Sequence, residues 1–294
     1  MIGDALVALG VGLAAGLYWR GAAQLRRRSS SPLPTGDDGR GPGGGAPGAV
    51  ARRRRAFPTW RAAAFATGLA TLLVALAPPV DVLVDRSFAA HMLQHVLLVA
   101  VAAPLLALGE PLVPFLWALP WERRRALGRW WRARGRLRVT WRAVTAPPIA
   151  WPLHVLVLWA WHAPALFEAA LRDDFVHALE HGTFVASAFL YWWPVVQAGR
   201  GRLSHPGALL YLFTAAGATS ALGVLIAFAP APWYGAYAAA GTSPLGLGPL
   251  EDQAAAGLVM WVGGGTLYLV AILAVFLAWL RAEDHAAAPA QPIV

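Results

Sequence analysis

Residues 88–108 read FAAHMLQHVLLVAVAAPLLAL, an apolar run with no acidic or basic residue except two histidines spaced four apart near its start. At 1.5 Å of rise per residue, roughly 20 helical residues cross the ~30 Å hydrocarbon core of a bilayer, so this stretch is long enough to span one. Six further stretches have the same character, near 2–19, 60–78, 143–162, 177–197, 207–228 and 252–280. The 294 residues are 58% hydrophobic and 13% charged, with the charges gathered between these runs. An all-α, polytopic transmembrane helical bundle of seven predicted spans follows. No segment shows the short in–out alternation of a membrane β-barrel.

The first run is the marginal one. A signal peptide carries its basic residues ahead of the apolar stretch, whereas here Arg20 and Arg26–Arg28 come after it, so residues 1–28 are expected to be a retained anchor. The chain has 24 basic residues against 15 acids, for a net charge of +9, and every basic residue is arginine. Their clustering in loops beside apolar runs argues for membrane topology rather than nucleic-acid binding. If the loops alternate sides, only Arg86 and Arg172 fall opposite the rest. The arginine-rich side is then the cytoplasm, with the N-terminus outside and the C-terminus inside.

Residues 29–55 are rich in Gly, Pro and Arg and predict a disordered cytoplasmic loop, followed by a helical membrane domain over 56–281 and a cytoplasmic tail over 282–294. Trp117, Trp121, Trp130, Trp131 and Trp141 lie among arginines in the second cytoplasmic loop, a composition suited to a helix at headgroup level. Outside, residues 163–176 carry a short amphipathic pattern, and the Pro/Gly-rich loop 229–251 with Trp233, Tyr234 and Tyr237 is a candidate lid.

Five of the eight histidines belong to one edge of this bundle. His91 and His95 open one span, His162 closes another and His177 and His181 open a third. An i, i+4 pair lies about 6 Å apart along a helix and on nearly the same face. One such pair is readily explained by local hydrogen bonding, but two at one depth with a fifth histidine beside them point to a shared metal site, because polar groups near lipid need a compensating role. Facing helices of bundles build metal sites in this way. With no cysteine, the donors are imidazole, carboxylate and thioether, which leaves copper, zinc or iron. Met92, Gln94 and Glu180 are candidates for further ligands or for groups that orient the imidazoles, as are Asp252 and Gln253 at the start of the last span. For Asp252 an ordinary helix-capping role competes equally. His154 lies about 12 Å deeper than His162 and is expected to hydrogen-bond within the bundle. Gly263–Gly265 suggest a close helix approach or a kink in the last span.

Two other chemistries fit parts of the pattern. His177-Ala-Leu-Glu180-His181 satisfies the H-x-x-E-H arrangement of one zinc-peptidase class, though Gln94 leaves the other pair without a base. Bis-histidine haem ligation between spans would make the chain a membrane electron carrier.

Three blocks taken in order resemble the CtaG family of cytochrome c oxidase assembly factors. They are His91-Met-Leu-Gln-His95 with Ala103-Pro104-Leu105-Leu106 and Gly109-Glu110-Pro111, then Trp161-His162-Ala163-Pro164 through His177–His181 to Tyr191-Trp192-Trp193-Pro194, then Asp252-Gln253 through Met260-Trp261-Val262. The likeness runs from about residue 60 to 280. It implies a multi-pass protein of the bacterial cytoplasmic membrane that is an assembly chaperone rather than an enzyme. The implied task is copper handling for the buried copper centre of a haem–copper oxidase, with an oxidase subunit and a copper donor as partners.

Overall fold

The computed structural model describes residues 2–30, 57–78, 80–199 and 203–287. The stretch expected to be disordered falls almost entirely outside the described residues, as does the end of the expected tail. The described residues form thirteen helices and no strand: α1 (Ile2–Ser30), α2 (Thr59–Leu76), α3 (Val80–Val84), α4 (Phe88–Leu108), α5 (Leu112–Ala118), α6 (Trp121–Ala133), α7 (Gly135–Val144), α8 (Pro147–Trp161), α9 (Pro164–Arg172), α10 (Asp174–Val196), α11 (His205–Ala227), α12 (Gly235–Ala240) and α13 (Pro249–Asp284), the last running on to Ala287.

Four of these helices are long and apolar enough to cross a membrane: α2, α4, α11 and α13. α7 and α8 make a fifth if taken as one span bent by 63°. The remaining two expected spans are also long helices, but of mixed polarity. α1 runs on through Arg20 and Arg26–Arg28, and α10 contains Asp174, Glu180 and two histidines. Burial departs from that of a water-soluble protein, with large apolar side chains exposed along the spans and several polar ones buried within an otherwise apolar core. Leu156, Leu210 and Phe213 are 66%, 65% and 69% exposed, whereas His91, Gln94 and Glu180 are fully buried. Apolar side chains outside and polar ones inside are what a lipid solvent selects, and the molecule is a membrane protein.

α4 is central, packing against α2, α10 and α13. Where α11 meets α13, Gly223 and Gly257 bring the backbones together. A Cβ on Gly223 would meet Gly257 O and Trp261 N at 2.9 Å, and one on Gly257 would fall on Ala227 N. The close approach therefore lies one turn and more before Gly263–Gly265, where the sequence led us to expect it. A Cβ on Gly263 or Gly264 meets nothing, and one on Gly265 only Ser220 Oγ at 3.8 Å. α13 passes Gly263 and Gly264 in a π-helical stretch, Val259–Gly264, and α4 has one too, Leu97–Ala102. Such widened turns recur at functional sites.

At the arginine end, Glu110 adopts φ +46°, a left-handed conformation uncommon without glycine, directly after α4. It pairs with Arg61 of α2 and accepts a hydrogen bond from Gln197 Nε2 (3.3 Å) just beyond α10. Tyr18 of α1 donates to the neighbouring Gly109 carbonyl at 2.8 Å. The Gly-Glu-Pro block is thus a joint that ties four helices at the end opposite the histidines. α6 and α7 hold the tryptophan-rich loop and bury none of their residues. Arg124 lies over the rings of Trp117 and Trp121, at 3.9 and 5.1 Å.

Candidate metal centre

The site begins with the caps that set helix phase. Ser87 caps α4 by accepting from Ala90 N. The Asp252 carboxylate reaches across from α13 to accept from Ser87 Oγ (2.9 Å) and Phe88 N (2.6 Å). Asp252 is therefore a cap for α4, its neighbour, while its own helix starts three residues earlier at Pro249. Both carboxylate oxygens are thereby committed to the α4 terminus, at the positive end of that helix. Gln253 accepts from Trp233 N (2.7 Å) and donates to the Ala231 carbonyl (3.2 Å), which anchors the 229–248 loop. Neither residue joins the histidines. On α10, Asp173 caps by accepting from Phe175 N and Val176 N, so the helix starts before His177 and presents His177, Glu180 and His181 inward.

These two helix starts bring the imidazoles together. One donor atom each from His91, His177, Glu180 and His181 lies within 4.8 Å of the others. The rings of the two i, i+4 pairs, His91–His95 and His177–His181, are each 4.3 Å apart between centroids, and His91 and His177 face each other across helices at 5.3 Å. His95 stands behind this group, with Nε2 3.7 Å from Glu180 Oε1 and its ring 5.4 Å from that of His181. His162 reaches the cluster only through His95, at 5.9 Å between centroids, and turns Nε2 toward Met92 Sδ at 3.4 Å. Gln94, on the flank of α4 that adjoins α2, donates to the Ala75 carbonyl of α2 (2.8 Å) and contacts Asp81 (3.4 Å). It fastens α4 to α2 and is not directed at the cluster. His154 contacts Ser187 Oγ at 3.3 Å, the hydrogen bonding within the bundle that its depth implied.

Unsatisfied donors and acceptors mark the centre. His91 Nε2, both nitrogens of His95, His177 Nε2, His181 Nε2 and both oxygens of Glu180 are buried with no hydrogen-bond partner among the described residues. Each buried unpaired polar group costs about 1–3 kcal/mol, and an unpaired carboxylate more. A fold does not gather seven such atoms in one place without a compensating ligand. A cation bound by one donor atom each of His91, His177, Glu180 and His181 would satisfy the centre of this group.

The tautomer of His91 can be read from its neighbours. Tyr237 has one hydroxyl proton and donates it to the Val84 carbonyl at 2.8 Å. Its oxygen, 2.8 Å from His91 Nδ1, is left to accept from Nδ1–H, and Nε2 keeps a free lone pair directed into the cluster. This orienting tyrosine is the residue that sequence reasoning missed. It could have been suspected only as an aromatic in a Pro/Gly-rich loop.

That loop does form a lid. α12 and the residues before it lie over the histidines, where Tyr234 donates to the His162 carbonyl (2.8 Å) and Gly235 N donates to Glu168 of α9 (2.8 Å). Phe167, fully buried, packs between Tyr234 at 4.1 Å and the His91 ring at 5.0 Å. At the flank, a cleft of about 1050 Å³ between α2 and α10 is lined by Asp81, Asp174, His177 and His181, and continues along Leu72, Leu76 and Phe189.

A family model described as cytochrome c oxidase caa3 assembly factor (Caa3_CtaG) matches residues 47–282, which include every site residue named above. No curated protein and no solved structure matches the chain.

Proposed function

The chain belongs to the cytochrome c oxidase caa3 assembly factor family, and from that premise we propose that it holds copper between α4 and α10 for delivery to the oxidase's buried copper centre. His91, His177, His181 and Glu180 are the proposed ligands, with His95 beside them and Tyr237 orienting His91. The observation that carries this reading is the group of buried, unpartnered imidazole nitrogens and carboxylate oxygens within 4.8 Å of one another. Imidazole with carboxylate suits copper and zinc, and a copper-enzyme assembly role favours copper. The arginine distribution supports putting this end on the extracytoplasmic side of the bacterial cytoplasmic membrane.

The packing weighs against a haem carrier. Phe184 lies 4.8 Å from His95 and Phe167 5.0 Å from His91, so aromatic side chains fill the space beside the rings that a flat macrocycle needs. Against a zinc peptidase, Glu180 is fully buried beside His95, without the access to water and peptide that a general base requires.

The test is the copper content of protein purified without chelators, measured beside a variant with His91, His95, His177 and His181 all changed to Ala. Copper bound by the wild type and lost in the variant is expected, and equal copper in both would remove the site. In cells, a deletion strain should assemble oxidase that lacks copper and activity, and normal copper in that oxidase would contradict the assembly role. Absence of proteolysis by the wild type is also expected.

A further inference from the structure

The four-residue ligand group leaves two of the five histidines aside, His95 and His162, and the surroundings of His162 are of a different kind. Its Nδ1 lies 2.7 Å from the Leu158 carbonyl. A carbonyl can only accept, so Nδ1 carries the proton and Nε2 of the neutral ring holds a bare lone pair. That lone pair faces Met92 Sδ, 3.4 Å away, and Met92 and His162 are 0% and 2% exposed. Two electron-pair donors thus face each other in a buried place with no proton between them. An ion bonded at about 2.0 Å to the nitrogen and 2.3 Å to the sulfur would see that separation under an angle of roughly 105°, between trigonal and tetrahedral. A small cavity adjoins His162, lined also by His95, Phe184 and Met260, and the π-helical stretches of α4 and α13 both border it.

We propose that Met92 Sδ and His162 Nε2, with His95 as third donor, form a second metal position that takes a soft monovalent cation, Cu(I). It is distinct from the harder imidazole–carboxylate position at His91, His177, His181 and Glu180. Thioether with imidazole selects Cu(I), whereas carboxylate with imidazole suits divalent ions. The inference deepens the copper-handling reading and rests on it for its biological sense, but the donor pair is defined by its own geometry. His95 lies between the two positions, 4.3 Å from His91 and 5.9 Å from His162 between centroids. A Cu(I) ion passing from one to the other exchanges ligands only, and no electron is needed.

The chain has no cysteine and three methionines, so any sulfur bound to a metal here comes from a methionine. The full chain in detergent is titrated with Ag(I), a monovalent probe that does not change oxidation state, and separately with Zn(II). Met92→Leu is close in volume and should fold. It is expected to lower Ag(I) affinity at least tenfold and leave Zn(II) binding unchanged, with Glu180→Gln doing the reverse. X-ray absorption of the Ag(I)-loaded wild type should show a sulfur neighbour that Met92→Leu removes and Met260→Leu, the other methionine at the cavity, keeps; a sulfur signal lost only in Met260→Leu overturns the assignment to Met92. Ag(I) binding by Met92→Leu equal to wild type, or a spectrum without sulfur, overturns the second position. Loss of Zn(II) binding in the wild type with Ag(I) retained would overturn the outer ligand group instead.

Discussion

Asp252 and Glu180 are both buried carboxylates on helices that pack against α4, yet they do opposite things to stability. Asp252 accepts two hydrogen bonds at the start of α4 and so stabilises the fold, while both Glu180 oxygens lack a partner and must destabilise it. Asp252→Ala should therefore cost about 1–3 kcal/mol, read as a lower melting temperature in detergent, with metal stoichiometry kept in the folded fraction. Glu180→Gln should leave the metal-free melting temperature unchanged or raised and weaken metal binding, since it removes a buried ionisable group that has no partner. Tyr237→Phe keeps the ring packing on Phe88 but frees His91 to rotate or change tautomer. A loss of roughly 10–100-fold in metal affinity is expected, measured by competition with a chromophoric chelator. The sequence contained the histidine pattern in full, because i, i+4 spacing is a property of the helix itself. It could not show that Asp252 serves another helix, or that Gln94 faces α2, because the phase of a helix about its own axis is set by partners remote in sequence.

At the level of the helix, span positions were legible almost to the residue for α2, α4 and α11, where apolar runs end at caps such as Ser204, which accepts from Gly207 N. α1 and α10 were legible as helices but proved more polar than the other spans. The site explains α10, which gives one face to ligands and cannot be uniformly apolar. Of the two readings of Gly263–Gly265, the close approach belongs instead to the single glycines at 223 and 257, while the triplet lies where the helix widens into its π-helical stretch. Gly257→Val should drive α11 from α13 and reduce the yield of folded, monodisperse protein. Gly263→Ala, with open space around it, should be tolerated and should raise the melting temperature slightly, since alanine favours helix by about 1 kcal/mol over glycine. Size-exclusion profiles and thermal melts of the two variants check both outcomes.

For the whole molecule, the sidedness proposed from the arginines is open to a direct test, which the absence of cysteine makes easy. Leu245→Cys, on the exposed lid loop, should react in intact cells with a maleimide that cannot cross the membrane, and Arg129→Cys should react only after the cells are opened. The reverse pattern would place the histidines on the cytoplasmic side. The lid also has a bearing on traffic. Through Tyr237, Tyr234 and Gln253 it is fastened to the backbone before α4, to the end of α8 and to α13, so lifting it means breaking all these ties at once. At the histidine end of the flank between α2 and α10 no such tie is found among the described residues, and Asp81 and Asp174 line the cleft there. Cargo leaving by that side door would stay within the plane of the bilayer, where an unfinished oxidase subunit also resides, and could be handed over without first entering bulk water.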